Sequence, residues 1–359
     1  MCNCLMQKQI KYKNVLIARF SALGDVAMTI PVVYSACRCY PEMRFVMITQ
    51  PVASSLFIGA PENLVVIGVD VKKKYHGVAG MLRLTQDLCR EYHIDAFVDL
   101  HSVIRTFVIG AACRLRGIPV RHIHKGRGEK SHLTRQNHKD LHQLCTSRDR
   151  YYDTFNRLGF DFGENFDSLF VEVVDEAVFA DVTEPKKSGD KWVAIAPFAK
   201  HTGKIYPVEK MEQVVASLSQ RTNIKIFLFG GGDSEKAVLA DWESKYGNVV
   251  SMANKRHGFH KELSLLSCCD VMISMDSANM HLASLVKLPV VSVWGATHPY
   301  CGFTGWKQSP ENIVQLDLPC RPCSVFGNKP CVSGGYACLN GITPEMILNK
   351  GERVLNKNA

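Results

Sequence analysis

The chain has 359 residues, 46% of them hydrophobic and 21% charged, and a formal net charge of +9. That length exceeds one ordinary core and suits two domains, and the balance excludes a disordered chain. No apolar run reaches the ~18 residues of a bilayer-crossing helix. The start, Met1-Cys2-Asn3-Cys4, lacks the apolar core of an export signal, so a cytoplasmic protein is expected.

Short apolar runs alternate with longer amphipathic ones, the pattern of a parallel α/β fold. In the first half, strands are expected at 14–19, 45–49, 64–69, 94–100 and 118–123, and helices at 78–93, 104–116 and 149–158. Residues 175–190 turn acidic and then rich in Pro, Lys, Ser and Gly, which reads as a linker. A second series follows, with strands at 192–196, 224–229, 249–252, 271–275 and 290–293. Its helices are expected at 208–221, 234–246, 261–268 and 278–286, with a closing helix at 343–355. The expected domains are therefore 1–178 and 190–359, two facing Rossmann-like sheets. Ligands bind outside the carboxyl ends of such strands, which places the site in a cleft between them.

Charge and cysteine are unevenly spread. Residues 121–150 hold eight Lys/Arg against three Asp/Glu, with five histidines. This segment suits an anionic partner such as phosphates, acidic sugars or a membrane surface, or is simply a solvated loop. It has no aromatic side chain besides histidine, which argues against a nucleic-acid partner. Ten of the fourteen cysteines are scattered through apolar segments as small hydrophobes. Cys320, Cys323, Cys331 and Cys338 cluster near the C-terminus, where a two-residue gap in the first pair suits a structural zinc; free thiols in a packed loop are the rival reading.

Several residues occupy positions suited to chemistry. Asp25 follows the first strand, where it serves as a general base or as a helix cap. Asp276 and Ser277 follow a buried-type strand and open a helix whose N-terminus suits a pyrophosphate, with His281 about one turn along. Gly230-Gly231-Gly232 forms a strand-to-helix turn that lacks a P-loop ending, and Glu235 beside it suits a ribose or sugar hydroxyl. In the first half, Asp99-Leu100-His101 ends a strand and Arg105 starts the next helix, a cation suited to an acceptor carboxylate or phosphate.

The passage Ile17-Ala18-Arg19-Phe20-Ser21-Ala22-Leu23-Gly24-Asp25-Val26 resembles the N-terminal signature of glycosyltransferase family 9, the ADP-heptose:lipopolysaccharide heptosyltransferases. Lys204-Ile205-Tyr206-Pro207 resembles the family's Lys-x-Trp-Pro, with Tyr for Trp. Asp276-Ser277-Ala278-Asn279-Met280-His281 resembles its Asp-Ser/Thr-Gly-x-x-His, with Ala for Gly. The cysteine-rich tail ending in Gly341-Ile342-Thr343-Pro344-Glu345 also has family counterparts. The resemblance implies a GT-B fold and an inverting transfer of heptose from ADP-heptose to a lipopolysaccharide core-type acceptor at the inner membrane face. It implies Asp25 as catalytic base and a donor site of Lys204, Glu235, Asp276, Ser277, Ala278 and His281. Acceptor contacts fall to His101 and Arg105. No cofactor is required, and zinc would be structural. The alternatives are a sugar-nucleotide epimerase on the same frame and, more distantly, a zinc-containing anion-binding module.

Overall fold

A computed structural model describes residues 10–357. The Met1-Cys2-Asn3-Cys4 start lies outside the described residues. Contact density divides the chain into two compact units, the first of residues 1–126 and 145–167, the second of 127–144 and 168–359. The division falls earlier than the expected linker, and it assigns 127–144 to the second unit.

The first unit carries β1 (Asn14–Ala18), α1 (Leu23–Ala27), α2 (Ile30–Cys39), β2 (Arg44–Thr49), α3 (Pro51–Ser54), β3 (Leu64–Gly68), α4 (Gly77–Tyr92), β4 (Ala96–Asp99), α5 (Ile104–Arg114) and β5 (Val120–His122). All its strands are parallel, in the order β3-β2-β1-β4-β5. Buried on both faces, they read as near-continuous apolar runs. On one face Met81, Leu84 and Leu88 of α4 and Ile109 of α5 pack on Leu16, Ala18, Val46 and Phe97. The next helix in the chain, α6 (Arg127–Leu133), belongs to the second unit, where Leu133 and Leu144 pack against Cys301 and Phe303. The chain then returns to the first unit with α7 (Ser147–Asn156), which Thr146 caps by accepting from Asp149 N.

The second unit continues with β6 (Lys191–Ala196), α8 (Val208–Ser219), β7 (Ile224–Leu228), α9 (Asp233–Lys245), β8 (Val249–Ser251), α10 (Phe259–Cys268), β9 (Val271–Met275), α11 (Ala278–Leu285), β10 (Val290–Val293), β11 (Ile313–Val314), α12 (Ala337–Asn340) and α13 (Pro344–Lys357). The parallel sheet order is β11-β10-β9-β6-β7-β8. The supposed linker is partly ordered: a short turn at Glu176–Phe179 buries Phe179 against Trp192. The closing helix α13 adds Ile347, Val354 and Leu355 to the core.

Tyr206, which stands where the related motif has Trp, is a core residue. It is fully buried, and its hydroxyl donates to the Ile342 carbonyl at 3.0 Å, tying the β6–α8 connection to the segment before α13. Tyr206→Phe keeps the ring and removes this bond, leaving the carbonyl only the longer 3.5 Å contact from Lys210 Nζ, at a cost of about 1 kcal/mol. Thermal unfolding of this variant should show a midpoint several degrees lower; an unchanged midpoint would show that the bond contributes nothing.

Candidate active site

Each sheet has one point where crossovers leave in opposite directions, and there a crevice opens at the carboxyl edge. In the first unit this point lies between β1 and β4, where Ala18 pairs with Asp99. In the second it lies between β6 and β9, where Ala196 pairs with Ser274. The sequence-derived candidates collect at these two points.

At the first, Arg19 leaves β1 buried, its Nη1 donating to Leu100 O at 2.7 Å and its Nη2 paired with Asp25 Oδ2. Asp25 is the third residue of α1, and Oδ2 also accepts from Ala22 N at 3.2 Å. The carboxylate thus closes the first turn of the helix while remaining 29% exposed, so capping and exposure coexist. Tyr151, buried on α7, donates to the Asp25 backbone carbonyl at 3.3 Å. His101 lies in the adjoining loop, where Nδ1 accepts from Phe20 N at 3.3 Å, so Nε2 carries the proton. Burial, reinforced by the charges of Arg19 and Lys125, pushes His101 down to about 4. It is a neutral donor near Asp25's loop.

Asp99, at the end of β4, is fully buried. Its Oδ1 accepts from the His101 and Ser102 amides, both at 2.9 Å, and its Oδ2 accepts from His122 Nδ1 at 2.6 Å. Asp99 therefore fixes the loop that carries His101. Arg105 is exposed on the first turn of α5.

At the second point, Lys204 Nζ and Asp276 Oδ2 pair at 2.8 Å, and Thr297 Oγ1 donates to the same oxygen at 2.8 Å. Asp276 is buried, and the Lys204 stem runs against Gly327, where a Cβ would sit 2.7 Å from its Cγ. Gly203 makes an equally close approach: a Cβ there would meet Gly327 O at 2.8 Å. Ser277 occupies the cap position of α11 without a side-chain cap bond. Ala278 is the first residue of that helix and His281, buried, the fourth. The first amides of α11 are thus left for an anion.

Glu235 Oε2 accepts from the Gly231 amide at 2.7 Å and from Gly232 at 3.3 Å, so it braces the glycine turn. Arg19, Tyr151 and Thr297 were not singled out by sequence. Only the strand order brings them to the candidates.

Most cations of the basic stretch 121–150 bond within the fold, while Arg127 and Arg135 are exposed. Arg121 donates to Arg157 O, Arg148 pairs with Glu164, and Arg150 donates to the Cys145 and His124 carbonyls. Lys130 is buried over the Phe303 ring, and Lys139 donates to the Cys320 and Pro322 carbonyls. Around the four C-terminal cysteines, no three His, Cys, Asp or Glu side chains converge on a common point among the described residues. Cys331 Sγ instead contacts Ser333 Oγ and accepts from Tyr336 N, and the Cys323 thiol donates to Ala296 O. Burial pushes Cys338 up to about 11, and all twelve described cysteines are free thiols. Cys145, read as a small core residue, is exposed.

The family described as Glycosyltransferase family 9 (heptosyltransferase) matches residues 81–331. The chain is 22% identical over 352 residues to lipooligosaccharide heptosyltransferase 2 of Campylobacter jejuni, spanning 94% of this chain and 96% of that protein. The glycosyl transferase family 9 structure from Veillonella parvula matches with a TM-score of 0.75 at 14% identity, over 98% of this chain and 99% of that one. The E. coli heptosyltransferase WaaC with ADP matches with a TM-score of 0.66 at 16% identity, over 95% and 99%. At these identities the likeness is one of fold, the paired Rossmann-like domains of the GT-B class.

His298 supplies a pH test. Its Nδ1 accepts from Tyr300 N, and burial, with Arg321 nearby, pushes it down to about 4, as for His101. Both rings stay neutral in the fold while the unfolded chain takes up protons below about pH 6.5. Stability is therefore full above about pH 6.5 and falls as the pH drops toward about 4. Melting temperatures measured across this window should fall less steeply for His298→Asn than for the wild type. Parallel slopes would contradict the assignment.

Proposed function

The chain belongs to glycosyltransferase family 9, and on that premise we propose that it transfers heptose from ADP-heptose, with inversion, to a lipopolysaccharide core-type acceptor. The carrying observation is the pair of switch-point clusters: a partly exposed carboxylate at the edge of the first sheet, and a lysine beside a helix N-terminus without a side-chain cap at the edge of the second. The heptosyltransferase name of the C. jejuni relative and the ADP in the WaaC structure support the choice of sugar and nucleotide.

In this reading the donor diphosphate lies on the first amides of α11, at Ser277 and Ala278, with Lys204 as its point charge and His281 beside it. Asp276, held by Thr297, orients the Lys204 ammonium. Glu235 Oε1 takes a ribose hydroxyl. His101 donates from Nε2 to the acceptor, and Arg105 meets an acceptor anion. Asp25, paired with Arg19, removes the proton of the acceptor hydroxyl as that oxygen bonds to the anomeric carbon. The bond from that carbon to the diphosphate oxygen breaks, and ADP leaves with its electrons. Charge that develops on the leaving group meets fixed dipoles rather than reorganising water. No cofactor enters these steps. The acceptor class places the work at the cytoplasmic membrane surface. Among the described residues no helix is long and apolar enough to cross a membrane.

Asp25→Asn preserves an oxygen for the Ala22 amide and removes the base. With ADP-heptose and acceptor, kcat should fall about 100-fold or more, with donor KM little changed. Near-wild-type turnover would reduce Asp25 to a helix cap. Consumption of ADP-heptose without acceptor would contradict transfer.

A further inference from the structure

Exposed apolar side chains of the first unit concentrate on the starts of two neighbouring helices. α4 leaves the carboxyl end of β3 and α5 that of β4, and both pack on one face of the sheet. They therefore run parallel, and their first turns lie side by side at the carboxyl edge. Val78 and Leu82 of α4 are 60% and 45% exposed, and Ile104 and Phe107 of α5 are 80% and 47% exposed. The spacings of four and three residues put each pair on one side of its helix.

The same edge carries cations. Lys72, Lys73 and Lys74 are consecutive and exposed in the turn before α4, with exposed Arg83 and Arg105 flanking the apolar residues. The turn is built to present them. Asp70 Oδ1 accepts from the Lys72 and Lys73 amides at 3.0 Å, and Tyr75 is buried behind them, its hydroxyl donating to Asp87. Gly80 lets α4 start against Tyr75, where a Cβ would lie 2.5 Å from the Tyr75 carbonyl oxygen. Lys72, Lys73, Arg83 and Arg105 form no ion pair among the described residues. A merely solvated edge needs no such apolar side chains between its cations. A face that enters an anionic bilayer interface needs both, since apolar groups reach the acyl boundary while ammonium and guanidinium groups meet lipid phosphates.

We propose that the starts of α4 and α5, with Lys72–Lys74, form the surface by which the protein docks on an anionic lipid bilayer. The proposal rests on the reading that the protein works at a membrane surface and names the face that meets it; its vesicle test needs neither donor nor acceptor. It also relocates the electrostatic contact from the 121–150 segment, whose cations are largely engaged within the fold.

The test is co-sedimentation of the full chain with phosphatidylcholine vesicles containing about one-third phosphatidylglycerol, against pure phosphatidylcholine vesicles. The wild type should bind the anionic vesicles and release with added salt. Each lysine contributes about fivefold to partitioning, so Lys72→Glu with Lys73→Glu should weaken binding at least tenfold. Val78→Ser with Leu82→Ser, and separately Ile104→Ser with Phe107→Ser, should weaken it at least fivefold without altering the lysines. Val78 and Ile104 face mostly solvent, while Leu82 and Phe107, whose ring packs on His122 at 4.8 Å, are about half exposed; unchanged melting temperatures would confirm that the fold persists. Arg135→Glu, in the 121–150 segment, should bind like the wild type. Retained binding in both the lysine and the serine variants would overturn the proposal, as would failure of the wild type to bind anionic vesicles. Loss in the lysine variant alone, with both serine variants unchanged, would also overturn it, because soluble phosphates need no apolar contact.

Discussion

Where two parallel strands send their crossovers to opposite sides of a sheet, neither connection can cover their carboxyl ends. Both sheets have such a point, β1/β4 in the first unit and β6/β9 in the second. The gap is a geometric consequence of strand order and needs no particular side chain to create it. The chemistry of the protein depends on what the sequence places there. At β1/β4 it is a carboxylate anchored by a buried arginine, and at β6/β9 a lysine anchored by a buried carboxylate.

These arrangements are complementary in sign and alike in construction. In each, one partner is buried and carries further hydrogen bonds, Arg19 to the Leu100 carbonyl and Asp276 from Thr297. A buried ion needs such compensation, because the desolvation penalty is otherwise only partly offset by its ion pair. The more accessible partner, Asp25 or Lys204, is thereby held in place for a ligand. Glycines at 203 and 327 allow loops to close around the Lys204 stem, which a Cβ at either place would obstruct. The fold thus holds a carboxylate on one unit and a lysine beside a helix N-terminus on the other, the two components the proposed transfer uses.

Much of this was legible in the sequence. β9 and β10 fall at the expected residues because apolar runs, each broken by a single serine, end at Asp276 and follow Pro289. The Asp25, Lys204 and Asp276 positions were readable because each follows a recognisable strand. What was not readable depended on distant partners. Arg19 acquires its role from a carbonyl 81 residues away, and Asp99 is drawn inward by His122. β11 has two residues, too few to show a period. The 127–144 excursion is polar along its length, and only Leu133 and Leu144 mark its attachment to the second unit. Cysteine spacing could not show that Cys323 bonds the distant Ala296 carbonyl or that Cys331 meets Ser333 and the Tyr336 amide.

The claim on which the account rests is that Lys204 and the start of α11 receive the nucleotide diphosphate. Titration calorimetry of ADP into the full chain tests it directly, comparing the wild type with Lys204→Met, which keeps the stem against Gly327 and removes only the charge. The account predicts ADP binding by the wild type and affinity at least tenfold weaker in the variant, the order expected for losing one charge-assisted contact. Equal affinity in the two proteins would contradict it, as would no binding of ADP by the wild type.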